Sequence, residues 1–231
     1  MKKGKKLAAL VLMAILMFTF ETPAFAASAN ASAVTKKSAK KTGWVVKSGK
    51  KYYYKDGRLV KDKLGYKIGK KYYKIDKKGV AAGVSEAEGL AGIRLEKTGR
   101  SLKKAFQYAS TQIRYWPNCG SPKKGQKEAD YYAIYGFKNG RGDCYVMACT
   151  FYQMAKVLGY DAHYVKGGVS QKNGKTGAHG WVEIDSKGKT RVYDPNFAYT
   201  FRGSNVSHHS GYGFQYGTKG TYQYKNRKRV N

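Results

Sequence analysis

The sequence is poor in cysteine, proline and acidic side chains. Three cysteines are too few, and odd in number, for a disulfide-stapled scaffold, so folding must depend on burial and at least one thiol is unpaired. Only 14 acidic residues stand against 45 lysines and arginines, giving a formal charge of +31. This charge predicts attraction to nucleic acid, anionic lipid or a charged cell wall. Apolar residues make up 42% of the 231 residues, enough for a buried core, which excludes full-length disorder.

The chain has no apolar run of the length that spans a membrane, but it begins with the pattern of a secretory signal peptide. Lysines at positions 2, 3, 5 and 6 precede a predominantly apolar stretch at residues 7–20, and residues 24–26 (Ala-Phe-Ala) fit the small-x-small cleavage pattern. A membrane anchor needs about 20 apolar residues. We therefore expect a signal peptide at residues 1–26, export, and no membrane association after cleavage. For so basic a secreted protein, a cell wall is a better expected partner than nucleic acid.

Residues 27–42 contain small and charged side chains and no aromatic residue, which predicts a flexible linker. The segment that follows repeats itself. The run Gly-Lys-Lys-Tyr-Tyr at residues 49–53 returns at residues 69–73, and in each repeat an aromatic residue follows a glycine earlier in the unit, at Trp44 and Tyr66. Aromatic runs separated by glycine-containing turns predict two short β-hairpins within residues 43–83.

The two hairpins resemble the cell-wall-binding repeats, of choline-binding type, found in secreted proteins of Gram-positive bacteria. The resemblance implies a wall-binding surface made of the aromatic residues Trp44, Tyr52, Tyr53, Tyr54, Tyr66, Tyr72 and Tyr73. Ring faces attract a quaternary ammonium group, whereas the lysine excess of this segment attracts anionic wall polymers, so the wall ligand stays open. In the alternative interpretation, the tyrosines only pack the hairpins together, since two repeats are fewer than the roughly three needed for an independent array.

From residue 84 onward the pattern changes to mixed α and β structure. Apolar residues at spacings of three and four predict one helix between Ser101 and Pro117. The same periodicity predicts a second helix that starts at Cys144, with Gly159 just past its end. The glycine-rich, aromatic segment at residues 211–224 is expected to add strands or to cover the sheet, and residues 225–229 are interpreted as a solvated end.

The start of the second helix gives Cys144 chemical significance. With Asp143 as the N-cap, Cys144 lies in the first turn, where unpaired N–H groups and the positive end of the helix dipole favour a thiolate. Cys144 is therefore a candidate nucleophile. Cys149 is interpreted as a buried structural residue, and Cys119 is left open between a free thiol and a pair with Cys149.

Strand character at residues 162–169, 179–184 and 190–194 predicts a small sheet, in which a turn at residues 185–189 joins the last two strands as an antiparallel hairpin. Two registers are compatible with this turn, and they set either Gly180 or Trp181 opposite Asp194. In both, His179 and Asp194 lie within a residue or two of facing each other. Cross-strand Cβ atoms are about 5 Å apart, close enough for a carboxylate to accept a hydrogen bond from an imidazole.

A thiol, an imidazole and a carboxylate in these positions suit acyl transfer. The imidazole of His179 takes the thiol proton and later protonates the leaving amine, while Asp194 fixes the ring tautomer. The backbone N–H of Cys144 is a candidate donor to the oxyanion. No metal or other cofactor is expected, because His163 and the pair at residues 208–209 lack further ligands at recognisable spacing.

The same residues carry a second resemblance. Residues 142–144 (Gly-Asp-Cys), 179–183 (His-Gly-Trp-Val-Glu) and 192–195 (Val-Tyr-Asp-Pro) resemble, in order and spacing, the core of the transglutaminase-like superfamily. The resemblance covers about residues 100–200. It implies an α+β, papain-like fold in which the cysteine-bearing helix packs on an antiparallel sheet, preceded here by the small all-β repeat module.

The resemblance also implies roles: Cys144 as nucleophile, His179 as base and Asp194 as its orienting partner. Gly180 departs from the alanine that often follows this histidine in the family. In the larger transglutaminases a tryptophan before the nucleophile assists the oxyanion, and Trp116 is the candidate for that role.

These patterns divide the chain into a signal peptide (1–26), a linker (27–42), two wall-binding-like hairpins (43–83) and a transglutaminase-like catalytic domain (84–231). The leading hypothesis is a secreted, cell-wall-associated enzyme that attacks a glutamine carboxamide or a peptide bond of a protein or peptide through a thioester. The alternatives are a peptidoglycan endopeptidase, in whose Asp-Cys-Ser-Gly pattern Tyr145 would replace the serine, and a catalytically silent wall-bound adhesion or scaffold protein. A nucleic-acid binder is supported by charge alone and opposed by the export signal.

Overall fold

The computed structural model describes residues 41–171, 174–203 and 210–230. The predicted signal peptide, nearly all of the predicted linker and the histidine pair at residues 208–209 lie outside these ranges. None of the helices in the described ranges has the length and apolar character needed to cross a bilayer.

The described elements alternate between helices and strands, and the prediction of a mixed α and β fold is confirmed. The helices are α1 (Glu86–Thr98), α2 (Leu102–Gln107), α3 (Glu128–Asn139), α4 (Cys144–Val157) and α5 (Pro195–Phe201). The strands are β1 (Gly43–Lys47), β2 (Lys50–Lys55), β3 (Arg58–Leu59), β4 (Lys63–Ile68), β5 (Lys71–Ile75), β6 (Ala81–Val84), β7 (Arg114–Tyr115), β8 (Arg141–Gly142), β9 (Asp161–Ser170), β10 (Thr176–Ser186), β11 (Lys189–Tyr193), β12 (Tyr212–Phe214) and β13 (Tyr224–Arg229).

Helix α4 is the central helix of the core. Ten of its 14 residues are buried, among them Met147, Phe151 and Met154 with no exposed surface. It packs against β9 and β10, in the middle of an antiparallel sheet with strand order β12-β11-β10-β9-β13. Burial on this scale gives a helix a fixed position, because removing one such side chain costs about 2–5 kcal/mol. The first residue of α4, Cys144, is therefore held in place by the core.

The hairpin of β10 and β11 has the second of the two registers compatible with the sequence. Val182 pairs with Tyr193 and Ser186 with Lys189, so that continuing the ladder sets Trp181 opposite Asp194. The turn itself is only two residues long. Lys187 and Gly188 both have positive φ, 51° and 71°, as in the tight turn whose twist matches that of paired strands.

The helix predicted after Ser101 is present but changes its geometry halfway. Helix α2 runs into a π-helical turn at Tyr108–Gln112, where Ser110 Oγ donates to the Phe106 carbonyl at 2.9 Å. Hydroxyl groups that bond back to the preceding turn distort regular helices. The chain then leaves helical structure at Ile113, before Pro117, and Ser101 caps the helix as expected.

Residues 43–84 form two three-stranded antiparallel sheets, β1-β2-β3 and β4-β5-β6. The second sheet lies directly on α1. Gly65 in β4 and two helical glycines, Gly89 and Gly92, allow this close approach, because a Cβ on Gly92 would overlap the Leu64 carbonyl. Tyr72 is buried against Gly89. The sequence pattern changes at residue 84, but the sheet before this residue packs directly on the helix after it.

Replacing Gly92 by alanine should therefore destabilise the protein by about 1–3 kcal/mol, even though alanine is the better helix former by about 1 kcal/mol. The obstacle is backbone, which cannot rotate away. Urea denaturation of Gly92→Ala against wild type measures the effect.

Gly83→Ala is the matched control, since a Cβ at this exposed strand position meets no atom within 4 Å. We expect its free energy of unfolding to stay within about 0.5 kcal/mol of wild type. A Gly92→Ala protein as stable as the Gly83→Ala protein would mean that α1 and β4 are not in contact.

Candidate active site

Cys144 lies at the N-terminus of α4, as its sequence context predicts. Asp143 is the N-cap and accepts a hydrogen bond from the Val146 N–H at 3.1 Å. The approach to the helix is fixed by a short parallel pairing of β7 with β8, in which Tyr115 pairs with Gly142. The thiol is half-buried rather than sealed in the interior, so it is accessible to a reagent.

His179 lies in β10, with only 4% of its surface exposed. Its Nε2 is 2.7 Å from Asp194 Oδ2, and the Cys144 side chain is near enough to raise the pKa of the same ring. Since Nε2 is engaged with the carboxylate, Nδ1 is the nitrogen left for the thiol. The structure thus brings together the three residues that the sequence singles out.

Asp194 is completely buried, and both of its carboxylate oxygens accept hydrogen bonds. It caps α5, with Oδ1 accepting the Phe197 N–H at 2.9 Å. Oδ2 accepts from His179 and from the Tyr224 hydroxyl at 2.8 Å. A buried carboxylate is tolerated only when its oxygens are satisfied in this way.

Two opposing effects set the charge of His179. Burial disfavours the imidazolium, but the negative charge of Asp194, its hydrogen bond and the contact with Cys144 outweigh burial and raise the pKa of His179 to about 10. These interactions therefore favour the protonated ring. A positive charge beside the sulfur suits a thiolate nucleophile.

Comparison with known proteins agrees with this geometry. Residues 90–195, which include all three side chains, match the family model of the transglutaminase-like superfamily. No curated protein matches.

Two solved structures are similar to about half of this chain at low identity. A candidate cysteine protease from Cytophaga hutchinsonii is 16% identical, with a TM-score of 0.37, over 48% of this chain and 37% of that one. A structure described as a TGase is also 16% identical, with a TM-score of 0.37, over 49% of this chain and 33% of that one. The chain thus spans about a third of the length of each.

Residues near the end of the chain contribute two tyrosines to the site, which the sequence patterns did not predict. Residues 225–229 are exposed to solvent, as expected, but they also belong to β13, which pairs with β9. Arg229 forms ion pairs with Glu183 and Asp185, both at 2.7 Å. The strand carries Tyr224 to Asp194, and Tyr222 packs edge-on against the His179 ring at 5.6 Å. The spacing of two residues between Tyr222 and Tyr224 could have indicated this arrangement, since side chains two residues apart in an extended chain lie on the same side.

The ring of Tyr145 fills the space that a methyl group at Gly180 would occupy. A Cβ at Gly180 would lie 2.6 Å from the Tyr145 ring. The ring also stacks on Tyr132 at 5.8 Å between centroids, with the Lys166 amine 5.3 Å above it. Packing of the Tyr145 ring therefore requires a glycine at position 180.

Trp116 lies on the chain segment that leads away from β7, and its indole N–H donates to the Asn118 carbonyl at 3.1 Å. The Arg141 guanidinium lies over its ring at 4.7 Å. The indole N–H is thus engaged within its own loop, and the oxyanion role of Trp116 stays a prediction.

The three cysteines are free thiols in the structure, so Cys119 and Cys149 are not paired. Both of these are buried. Burial, with a contribution from Asp143, raises the pKa of Cys119 to about 11, and burial also raises the pKa of Cys149. Neither environment favours a reactive thiolate.

One cluster of groups that bind metals lies away from the triad. Asp161, His163 and Asp185 bring their ligand atoms within 4.8 Å of one another at the edge of β9 and β10. The spacing of these residues in the sequence did not predict the cluster. Arg229 forms a two-point contact with the carboxylate of Asp185, at 2.7 and 3.1 Å. Because Arg229 and His163 already engage these carboxylates, we interpret the cluster as an ion-pair network.

The aromatic residues named as wall-binding fall into two groups. Trp44 is 39% exposed, and its ring contacts Tyr73 at 4.8 Å and Tyr53 at 5.2 Å, while Tyr53 contacts Tyr66 at 6.2 Å. Of the others, Tyr52 and Tyr54 are half-buried, and Tyr72 is 7% exposed with its ring against α1. Tyr72 therefore packs the fold rather than presenting a binding surface.

Iodoacetamide should alkylate Cys144 at least tenfold faster than Cys119 or Cys149 in the folded protein near neutral pH, because Cys144 alone combines accessibility with an adjacent imidazole. Peptide mapping by mass spectrometry measures the three rates. His179→Ala should slow alkylation at Cys144 and leave the other two unchanged. Equal rates at Cys144 and Cys119 would contradict an activated thiol.

Proposed function

We propose that the chain is a thiol acyl-transfer enzyme with transglutaminase or protease/amidase activity, in which Cys144 attacks a glutamine carboxamide or a peptide bond. The observation that carries this proposal is the buried pair of His179 and Asp194, 2.7 Å apart, beside the half-buried Cys144, which is near enough to raise the pKa of the same ring. The match of residues 90–195 to the transglutaminase-like superfamily supports the same chemistry.

The first half-reaction forms a thioester. The proton of the Cys144 thiol passes to His179, either before the substrate binds or during the attack. The sulfur then adds to the carbonyl carbon to give a tetrahedral oxyanion. The oxyanion collapses as the carbon–nitrogen bond breaks, and the imidazolium gives its proton to the departing ammonia or amine. Asp194 keeps Nδ1 directed at the sulfur by holding Nε2.

The second half-reaction repeats these steps with a new nucleophile. An amine or a water molecule gives its proton to His179 while it attacks the thioester carbon, and the carbon–sulfur bond breaks to regenerate the thiol. An amine acceptor makes the enzyme a transferase, and water makes it a hydrolase.

We also propose that the protein is secreted and held at the cell wall, where a protein or peptide with an accessible glutamine or amide is the substrate. The signal-peptide pattern and the net charge support this location. The exposed Trp44 and the lysines of β1 to β6 offer a surface of the required charge.

A single assay tests the acyl-transfer proposal. The mature protein is incubated with a glutamine-containing peptide and a fluorescent primary amine, and amine incorporation, ammonia release and peptide cleavage are measured together. We expect one of these products with wild type and a loss of at least about 10³-fold in Cys144→Ala, because the thioester then cannot form.

Cys119→Ala serves as the matched control, since it removes a thiol that contacts neither His179 nor Asp194 in any described hydrogen bond and should retain activity. Turnover that persists in Cys144→Ala would assign the activity to another group. The absence of every product across a panel of glutamine and peptide substrates would favour the catalytically silent scaffold.

The wall association is tested by retention of the mature protein on purified cell walls. We expect retention at about 0.1 M salt and release near 1 M, because the Debye length falls from about 10 to about 3 Å and screens the lysines. Trp44→Ala should change retention much less than salt does. Retention that survives high salt but is lost in Trp44→Ala would point instead to an aromatic binding pocket.

A further inference from the structure

Tyr224 is the one hydroxyl donor that the described contacts place on the triad carboxylate. Its O–H donates to Asp194 Oδ2 at 2.8 Å, and the same oxygen receives His179 Nε2 at 2.7 Å. The other carboxylate oxygen serves the Phe197 N–H. A carboxylate oxygen has two lone-pair directions, so His179 and Tyr224 share one atom of Asp194.

The environment of Tyr224 keeps it a donor. Its ring packs against Trp181 at 4.8 Å and Tyr222 at 6.1 Å, and it approaches the His179 ring at 6.4 Å. Burial, reinforced by the negative charge of Asp194, raises the pKa of Tyr224 far above its ordinary value. The raised pKa therefore favours the protonated hydroxyl, which can donate to Asp194.

The strand that carries Tyr224 is held in place independently of the triad. β13 pairs with β9, and its last residue, Arg229, bonds to Glu183 and Asp185 on β10. Tyr224 thus reaches Asp194 from a strand that is paired along β9 and anchored by Arg229, so these contacts position the hydroxyl without the help of a substrate.

Sharing one oxygen has a consequence for His179. When the imidazole is neutral, the charge of Asp194 is uncompensated and the tyrosine hydrogen bond is at its strongest; when the imidazole is protonated, the two donors compete for the same charge. The hydroxyl therefore stabilises the neutral imidazole relative to the imidazolium. The groups facing the ring among the described residues are Asp194, Cys144 and the rings of Tyr222, Tyr224 and Trp181.

We propose that Tyr224 is a positioning residue of the triad, which acts through Asp194 to fix the carboxylate and to moderate its attraction for the protonated His179. The reaction needs an imidazole that both accepts the thiol proton and gives it up to the leaving amine. An imidazolium held too strongly by a buried carboxylate is a poor acid. The catalytic part of this inference rests on the proposed function, whereas the effect on His179 does not.

Tyr224→Phe tests the proposal, because it deletes the hydroxyl and keeps the ring. The titration midpoint of the His179 imidazole is followed by NMR of histidine-labelled full-length protein, with the His179 signal assigned from its loss in His179→Gln. We expect the midpoint to rise by about half a unit or more, the scale of one shared hydrogen bond to a charged group. The kcat of acyl transfer should fall several-fold with KM nearly unchanged.

Tyr222→Phe is the matched control. Tyr222 packs on the same imidazole, but its hydroxyl interacts with Thr200 and makes no described hydrogen bond to Asp194. Its loss should leave the His179 midpoint where it is. A midpoint in Tyr224→Phe that is unchanged, lowered, or shifted equally in Tyr222→Phe would overturn the positioning role.

A second variant covers the case in which Tyr224→Phe does not fold. Fluorotyrosine at position 224 keeps the hydroxyl and nearly the same volume, and its more acidic O–H is a stronger donor, so the His179 midpoint should fall. An unchanged or raised midpoint overturns the proposal. The titration requires no turnover, so it tests the role of Tyr224 separately from the proposed function. If the His179 midpoint shifts in the Tyr224 variants but the wild type shows no activity, only the proposed function is refuted. If the wild type is active but the midpoint does not shift, only the role of Tyr224 is refuted.

Discussion

The chemistry of this site depends on one buried carboxylate. Asp194 has no exposed surface, and a charge in such a place must be matched by donors or the fold loses several kcal/mol. Each donor belongs to a different part of the chain: the Phe197 N–H to the start of α5, the imidazole of His179 to β10 and the hydroxyl of Tyr224 to β13. Satisfying this single group therefore fixes three elements relative to one another, and the histidine ring is aimed at Cys144 as a result.

Local sequence rules were sufficient for the parts of the site that are close in the chain. An N-cap followed by an apolar period of three and four placed Cys144 at the start of α4, and a five-residue turn sequence joined the strands that bring His179 to Asp194. Both depend on neighbours within about 15 residues, where backbone geometry leaves few alternatives. The remaining uncertainty in the hairpin was a one-residue register, which the two-residue turn at Lys187 and Gly188 decides.

Longer-range features could not be predicted in this way. Strand β13 consists largely of basic, exposed residues and has no apolar alternation, so its composition is that of a solvated tail. It is ordered by pairing with β9, some 55 residues earlier, and by the ion pairs of Arg229. The sequence patterns did not predict helix α1 for a related reason: two glycines weaken its intrinsic preference, and β4 and β5 pack closely against them. Both β13 and α1 depend on contacts with residues that are distant in the sequence, so their local sequences do not predict them.

The position of β13 ties the geometry of the site to the completion of the sheet. Without this strand, Asp194 would keep its cap on α5 and its bond to His179 but lose the Tyr224 donor, and the rings of Tyr222 and Tyr224 would no longer cover the imidazole. Water admitted there would compete for the carboxylate and weaken its hold on Nε2, because hydrogen bonds to charge are stronger in a low-dielectric setting. Edge strands are the least protected part of a sheet. Arg229 anchors one end of β13 to carboxylates on β10. At the other end of the strand, Tyr224 donates to Asp194 and helps to cover the imidazole. The ion pairs of Arg229 therefore help to hold Tyr224 in the position where it excludes water from the triad.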